Sequence, residues 1–140
     1  MVDIDKKFKK IYTSGKRKSS IARALIKAGN GKVLINGKNY KTLHMFDRLK
    51  IAEPLRITEE ILGKIEFDFE VNIKGGGDKS QIDAARIAIT KAILEFTQSE
   101  ELKKEFLAYD RNLLIADVRR KEMCKPGDSK ARAKRQSSKR

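Results

Sequence analysis

Few side chains in this sequence could carry out covalent chemistry. There is one histidine, His44, and one cysteine, Cys124, so neither a zinc set nor an internal disulfide can be assembled. No Ser, Cys or carboxylate stands in a catalytic spacing to His44, which reads as a surface or half-buried side chain rather than a general base. The nearest approach to nucleotide chemistry is Gly75-Gly76-Gly77-Asp78-Lys79-Ser80. A nucleotide P-loop needs its last glycine directly before Lys and Ser. Here Asp78 intervenes and brings a negative charge to the phosphate position. A phosphoryl-transfer enzyme would also need a base and a metal-binding carboxylate pair, and neither has the right spacing. No turnover, metal or cofactor is expected.

The side chains that do abound bind phosphate. The chain carries 33 Lys and Arg against 19 Asp and Glu, a net of +14. The excess is uneven, because residues 119–140 hold ten cations against only Glu122 and Asp128, leaving 23 against 17 in residues 1–118. The candidates in that arm are Arg119, Arg120, Lys121, Lys125, Lys130, Arg132, Lys134, Arg135, Lys139 and Arg140. Its few apolar residues follow no helical or strand period, so it cannot offset the roughly 1 to 2 kcal/mol per residue of ordering entropy. The arm is expected to be disordered when free and to order on a polyanion.

A second cluster is Lys16, Arg17, Lys18, Ser19 and Ser20, where three cations and two hydroxyls could meet backbone phosphates, with Gly15 marking a bend. Arg23 and Lys27 fall on one face of the strand that follows. Gly75, Gly76 and Gly77 form a third candidate, a strand-to-helix turn whose N–H groups and positive dipole end suit a phosphate. A tight turn without ligand explains these glycines almost as well. Nucleic acid is the leading partner class, ahead of an anionic membrane surface.

The elements that must position these groups are readable in outline. Residues 21–28 and 32–36 have strand character, and Gly29-Asn30-Gly31 between them predicts a hairpin. Asn36-Gly37 predicts another turn. Leu43, Phe46 and Leu49 suggest one or two helical turns, and Pro54 predicts the start of a helix of about ten residues ending at Gly63. From Ile65 to Ile73 apolar residues alternate without a break, which predicts a half-buried strand. Its outer face is acidic in the middle and is therefore not expected against RNA. Asp78 as N-cap with Gln81 completing a capping box begins a helix through Phe96, and Ser99 starts a shorter one. Leu113, Leu114 and Ile115 should close the core. The expected organisation is one globular domain, residues 1–118, followed by the arm, residues 119–140. The N-terminus shows no apolar signal segment and no apolar run long enough to span a bilayer, so the protein is expected in the cytoplasm.

Several stretches, taken together, resemble the small-subunit ribosomal protein nine family, closest to its archaeal and eukaryotic members. They include Thr13-Ser14-Gly15-Lys16-Arg17-Lys18-Ser19-Ser20-Ile21-Ala22-Arg23, Gly31-Lys32-Val33-Leu34-Ile35-Asn36-Gly37 and Ile73-Lys74-Gly75-Gly76-Gly77. Further along come Ala84-Ala85-Arg86, Asp110-Arg111, Arg119-Arg120-Lys121-Glu122, Lys125-Pro126-Gly127 and the terminal Ser138-Lys139-Arg140. The resemblance implies an α+β fold in which helices pack on a four-stranded sheet with a left-handed β-α-β crossover. It implies a structural role in the head of the small ribosomal subunit, bound to small-subunit ribosomal RNA and beside neighbouring ribosomal proteins, without homo-oligomers. It further implies that the arm reaches peptidyl-site tRNA through Lys139 and Arg140. A free nucleic-acid binder, such as a chromatin or RNA-chaperone protein, is the alternative that composition alone would allow.

Overall fold

In a computed structural model the protein is described at residues 10–128, 130–135 and 137–138. Lys139 and Arg140 lie outside the described residues. The strand predicted by alternation is present as Phe67–Lys74, with Phe67, Phe69, Val71 and Ile73 buried and Glu70, Asn72 and Lys74 exposed. It lies at the centre of the sheet, which has five strands rather than the four expected. They are β1 (Ile11–Arg17), β2 (Ser20–Ala28), β3 (Val33–Ile35), β4 (Lys38–Asn39) and β5 (Phe67–Lys74), in the order β1-β2-β5-β3-β4. The extra strand is β4, folded back on β3 by Asn36 and Gly37 at φ 48° and 79°. Both residues have the positive φ that such a two-residue connection demands.

The hairpin expected at Gly29-Asn30-Gly31 is not formed, because β5 lies between β2 and β3. β2 pairs antiparallel with β1 and with β5, whereas β3 runs parallel to β5. The loop is turned aside by Asp68, whose Oδ1 accepts from the backbone N–H groups of Asn30 and Lys32 at 2.9 and 2.8 Å. Gly29 N–H donates to the Glu66 carbonyl at 3.0 Å. A connection that looks like a tight turn is thus a bridge over the end of a strand arriving forty residues later in the chain.

Helix α1 is one element, Met45–Leu62, rather than short turns followed by a helix beginning at Pro54. Pro54 sits in mid-helix, where it removes a backbone donor and normally costs about 3 kcal/mol. Burial of Ile51, Leu55 and Thr58 against the core outweighs that cost. Gly63 ends the helix at φ 77°. Helix α2 spans Asp78–Thr97 and α3 spans Glu100–Tyr109 with Ser99 as its N-cap. A single 3-10 turn, Arg111–Leu113, follows, and of the three residues expected to close the core only Leu113 is fully buried.

All the burial is on one side of the sheet. Ala22, Ala24 and Ile26 of β2, the inward residues of β5, and Ile82, Ala85, Ala88, Ile89 and Ile93 of α2 form a single core with Ile51, Leu55, Leu102 and Phe106. Small residues set the spacing. Gly15 lies within β1 rather than at a bend, and a Cβ there would overlap the Ala84 carbonyl and come within 2.7 Å of Ala88 N. Beside it, the buried Thr13 hydroxyl donates to the Ala88 carbonyl at 2.8 Å. α2 therefore rests on β1 at backbone-contact range. Among the described residues no helix is long and apolar enough to cross a membrane.

Candidate nucleic-acid interface

Two of the three candidate sites are one structure. β1 and β2 are joined by Lys18 and Ser19, with Arg17 paired to Ser20 and Lys18 at φ 52°. Behind this turn lies the glycine segment. Gly75 and Gly76 have φ 77° and 67°, a region a side chain enters only under strain. A Cβ on Gly76 would overlap Ser20 Oγ, and one on Gly75 would come within 2.8 Å of the Ser19 carbonyl. Ser20 Oγ lies 3.0 Å from the Gly75 carbonyl, to which it donates, and 2.6 Å from Ser80 Oγ. The close approach that Gly75 and Gly76 permit is thus to the Ser19-Ser20 backbone and hydroxyl. Gly77 meets nothing within 4 Å and serves as the N-cap of α2, in place of Asp78. Its N–H donates to Ser80 Oγ at 3.1 Å, so Ser80 rather than Gln81 closes the helix start.

The candidate residues divide by whether their polar groups are already engaged. Ser20 is fully buried and bonded as above. Arg17 is half-buried and paired with Asp117, with Asp83 at 3.8 Å. By contrast Lys16, Lys18 and Arg23 are exposed and, among the described residues, carry no ion pair. Lys74, which sequence reasoning left out, is equally exposed and unpaired and sits directly before Gly75. Its period-two alternation with Asn72 was the signal that could have found it. Three further cations are engaged by carboxylates. Arg86 reaches Glu53 of α1 at 3.0 Å and Asp110, after α3, at 2.8 Å, and Lys79 and Lys50 pair with Asp47 and Asp83 at 2.8 Å each.

The pair Arg17–Asp117 also fixes where the arm begins. Arg119 chelates the same carboxylate, with Nε 2.9 Å and Nη2 2.6 Å from Oδ2 and its backbone N–H 2.8 Å from Oδ1. The Arg119 side chain, then its backbone N–H, then Arg17 hold the Asp117 carboxyl well below the usual carboxylate range, and Asp117 in turn raises Arg119. Beyond this root the described arm residues are exposed. Pro126 and Gly127 make a turn closed by Asp128 N–H on the Lys125 carbonyl at 3.2 Å. Arg132 pairs with Glu122 at 2.8 Å and Arg135 with Asp128 at 3.4 Å, which uses both acids of the arm. Arg120, Lys121, Lys125, Lys130 and Lys134 make no ion pair among the described residues. Cys124 is exposed, and no group of three or more His, Cys, Asp or Glu among the described residues could hold a metal ion.

A small α+β domain with many exposed, unpaired cations and an exposed basic arm is suited to an anionic partner, and comparison puts it with the ribosomal proteins, which are structural components and not enzymes. The particular family follows from comparison: the family model described as "Ribosomal protein S9/S16" matches residues 15–140, and the chain belongs to that family. Its relatives include the small ribosomal subunit protein uS9 of Methanococcus vannielii, 48% identical over 133 residues that cover 93% of this chain and 98% of that one. The protein of the same name from Methanococcus maripaludis is 47% identical over 133 residues, covering 93% and 98%. That from Picrophilus torridus is 48% identical over 130 residues, covering 91% and 96%.

Proposed function

We propose that the protein is a structural constituent of the small ribosomal subunit, holding small-subunit ribosomal RNA in the subunit head. The observation that carries this reading is the family match over residues 15–140, and the state of the candidate cations is consistent with it. Arg17, Arg86, Lys50 and Lys79 are consumed by carboxylates inside the fold. Lys16, Lys18, Arg23 and Lys74 stand unpaired around the joint between the β1–β2 turn and the glycine segment. Cations of the second kind contact phosphates irrespective of base sequence and account for salt-dependent affinity. The amide groups at the start of α2 and the hydroxyl of Ser19 can add to them.

The arm extends this interface along the RNA, and Lys139 and Arg140 make contact with peptidyl-site tRNA. Its cationic side chains can follow a crowded RNA channel where no folded element fits. Other ribosomal proteins of the head are neighbours, and the place of action is the cytoplasmic ribosome.

The test is fractionation of a cell extract on sucrose gradients in moderate and then high salt, following the chain by mass spectrometry. Co-migration with small subunits at about one copy each, persisting in high salt, supports the reading. Release into the free pool at modest salt would instead identify a general nucleic-acid binder. Deleting Lys139 and Arg140 should weaken peptidyl-site tRNA binding without preventing assembly, and should lower the magnitude of the salt slope by about 0.7 per lost contact. An unchanged slope would place the tRNA contact elsewhere.

A further inference from the structure

The outer face of the sheet is left open by the fold, and its side chains are ordered in rows. Register places Lys16, Ile21 and Lys74 in one row, Ser14, Arg23 and Asn72 in the next, and Tyr12, Leu25 and Glu70 in a third. All of these residues except Lys16 and Ser14 line a groove of about 1020 Å³ bounded by Ser19 and Gly75 at one end. Tyr12 is 73% exposed and Ile21 44% exposed, so apolar and aromatic surface faces solvent between the cations.

We infer that this face of β1, β2 and β5 seats an unpaired segment of RNA, with a base stacked on Tyr12 and its flanking phosphates on Arg23 and Lys74. The inference rests on the ribosomal reading above and adds the form of nucleic acid and its seat. Charge decides the class of partner. In the first two rows the ionised groups are Lys16, Arg23 and Lys74, all cations, and among the described residues none is paired. The first acid, Glu70, stands only in the third row. Asp68 beyond it already accepts two backbone N–H groups of the neighbouring loop. Glu70 lines the groove in the row of Tyr12, so the phosphates are seated at the other end, where Arg23 and Lys74 stand and no acid does.

Geometry decides between strand and duplex. Arg23 is the diagonal neighbour of Tyr12 across β1 and β2, and of Lys74 across β2 and β5, which puts each pair roughly 7 to 8 Å apart before the side chains extend. Asn72, directly opposite Arg23, can exchange hydrogen bonds with a base edge. A duplex offers phosphates and 2′-hydroxyls but keeps its base faces stacked inside, leaving Tyr12 and Ile21 with nothing to cover them. An unpaired strand offers both phosphates and base faces to a sheet of this composition.

The experiment is zero-length ultraviolet crosslinking of intact small subunits containing the full chain, with adducts located by mass spectrometry. A nucleotide adduct on the peptide that contains Tyr12 is the expected result. Adducts confined to the β1–β2 turn and the arm, with the chain present in the subunit, would overturn the sheet-face site and leave the ribosomal reading standing. Lysine-reactive crosslinks from Lys16 and Lys74 to another protein, without a Tyr12 adduct, would replace RNA by a protein partner. Absence of the chain from small subunits would remove the reading on which the inference rests. In parallel, anisotropy with a short oligouridylate should show about tenfold weaker binding for Tyr12→Ala in the full chain, the scale of one lost stacking contact. Tyr12→Phe, which keeps the ring, should stay within about twofold of the parent. Tyr12→Ala binding as tightly as the parent would overturn the stacking assignment.

Discussion

Replacing Gly76 by Ala tests whether the glycine segment exists for the fold or for a ligand. Gly76 has φ 67°, where an alanine costs about 1 kcal/mol, the low end for a left-handed residue. Its Cβ would overlap Ser20 Oγ and crowd Ser80 Oγ, which lies 2.7 Å away. Ser20 can give way only by turning out of its contacts with the Gly75 carbonyl and Ser80, at 3.0 and 2.6 Å. Two part-buried hydrogen bonds at about 1 kcal/mol each bring the expected loss to about 3 kcal/mol. Ser20→Ala alone should cost about 2 kcal/mol by losing the same two bonds. The double variant should then also cost about 3 kcal/mol, not the 5 kcal/mol that independent sites would give, a coupling of about 2 kcal/mol. Urea unfolding of the full chain, followed by circular dichroism, measures all three. Additive losses would refute the packing argument. A Gly76→Ala protein of unchanged stability but weakened RNA binding would show that the glycine serves a ligand instead.

The remaining predictions separate structural from interfacial cations. Arg86→Leu leaves Glu53 and Asp110 facing each other without their shared cation; with these side chains 16 to 31% exposed, a loss of about 2 to 3 kcal/mol is expected, below the fully buried range, readable as a fall in melting temperature. Lys16→Gln and Lys18→Gln should each weaken RNA binding and flatten its salt dependence while leaving the urea midpoint within error, whereas Arg17→Gln should lower the midpoint. Asp117→Asn gives a pH signature. Because Arg119 and Arg17 depress the Asp117 carboxyl, its contribution is complete above about pH 5 and is lost only as pH falls through the lowered value. The variant should therefore be the less stable protein at neutral pH and converge on the parent only in strong acid; a gap that closes near pH 6 would exclude Asp117 as its source.

How much could be read from the chain depended on whether the deciding partner was local. The alternation from Phe67 to Ile73 is a property of consecutive residues, and β5 appears where it predicts. The Gly29-Asn30-Gly31 turn chemistry is also local, yet it mispredicted a hairpin, because the strand that separates β2 from β3 lies beyond an 18-residue helix. Pro54 misled for the same reason, since its preference for a helix start is overridden by the burial of Ile51, Leu55 and Thr58. Of the candidate binding residues, Lys16, Lys18, Ser19 and Arg23 are exposed on the β1–β2 hairpin. What types could not reveal is partnership: that Arg17 belongs to Asp117, a hundred residues away, and that Ser20 belongs to Gly75 and Ser80. Gly15 looked like a bend because nothing nearby in the chain shows Ala84 and Ala88 of α2 lying on it.

The Arg17–Asp117 pair ties the hairpin that carries Lys16 and Lys18 to the last residues before the arm, and so joins two candidate binding elements at a fixed point. A flexible coil of 22 residues, the length of the segment 119–140, has an end-to-end distance of about 25 to 30 Å. Once the corner of the sheet is seated, the arm samples only that neighbourhood, at an effective concentration in the millimolar range. Each arm contact can then be individually weak and rapidly exchanged, yet occupied most of the time. In the function proposed above, such a fold would let the arm release and re-form its contacts while the protein as a whole stays in place.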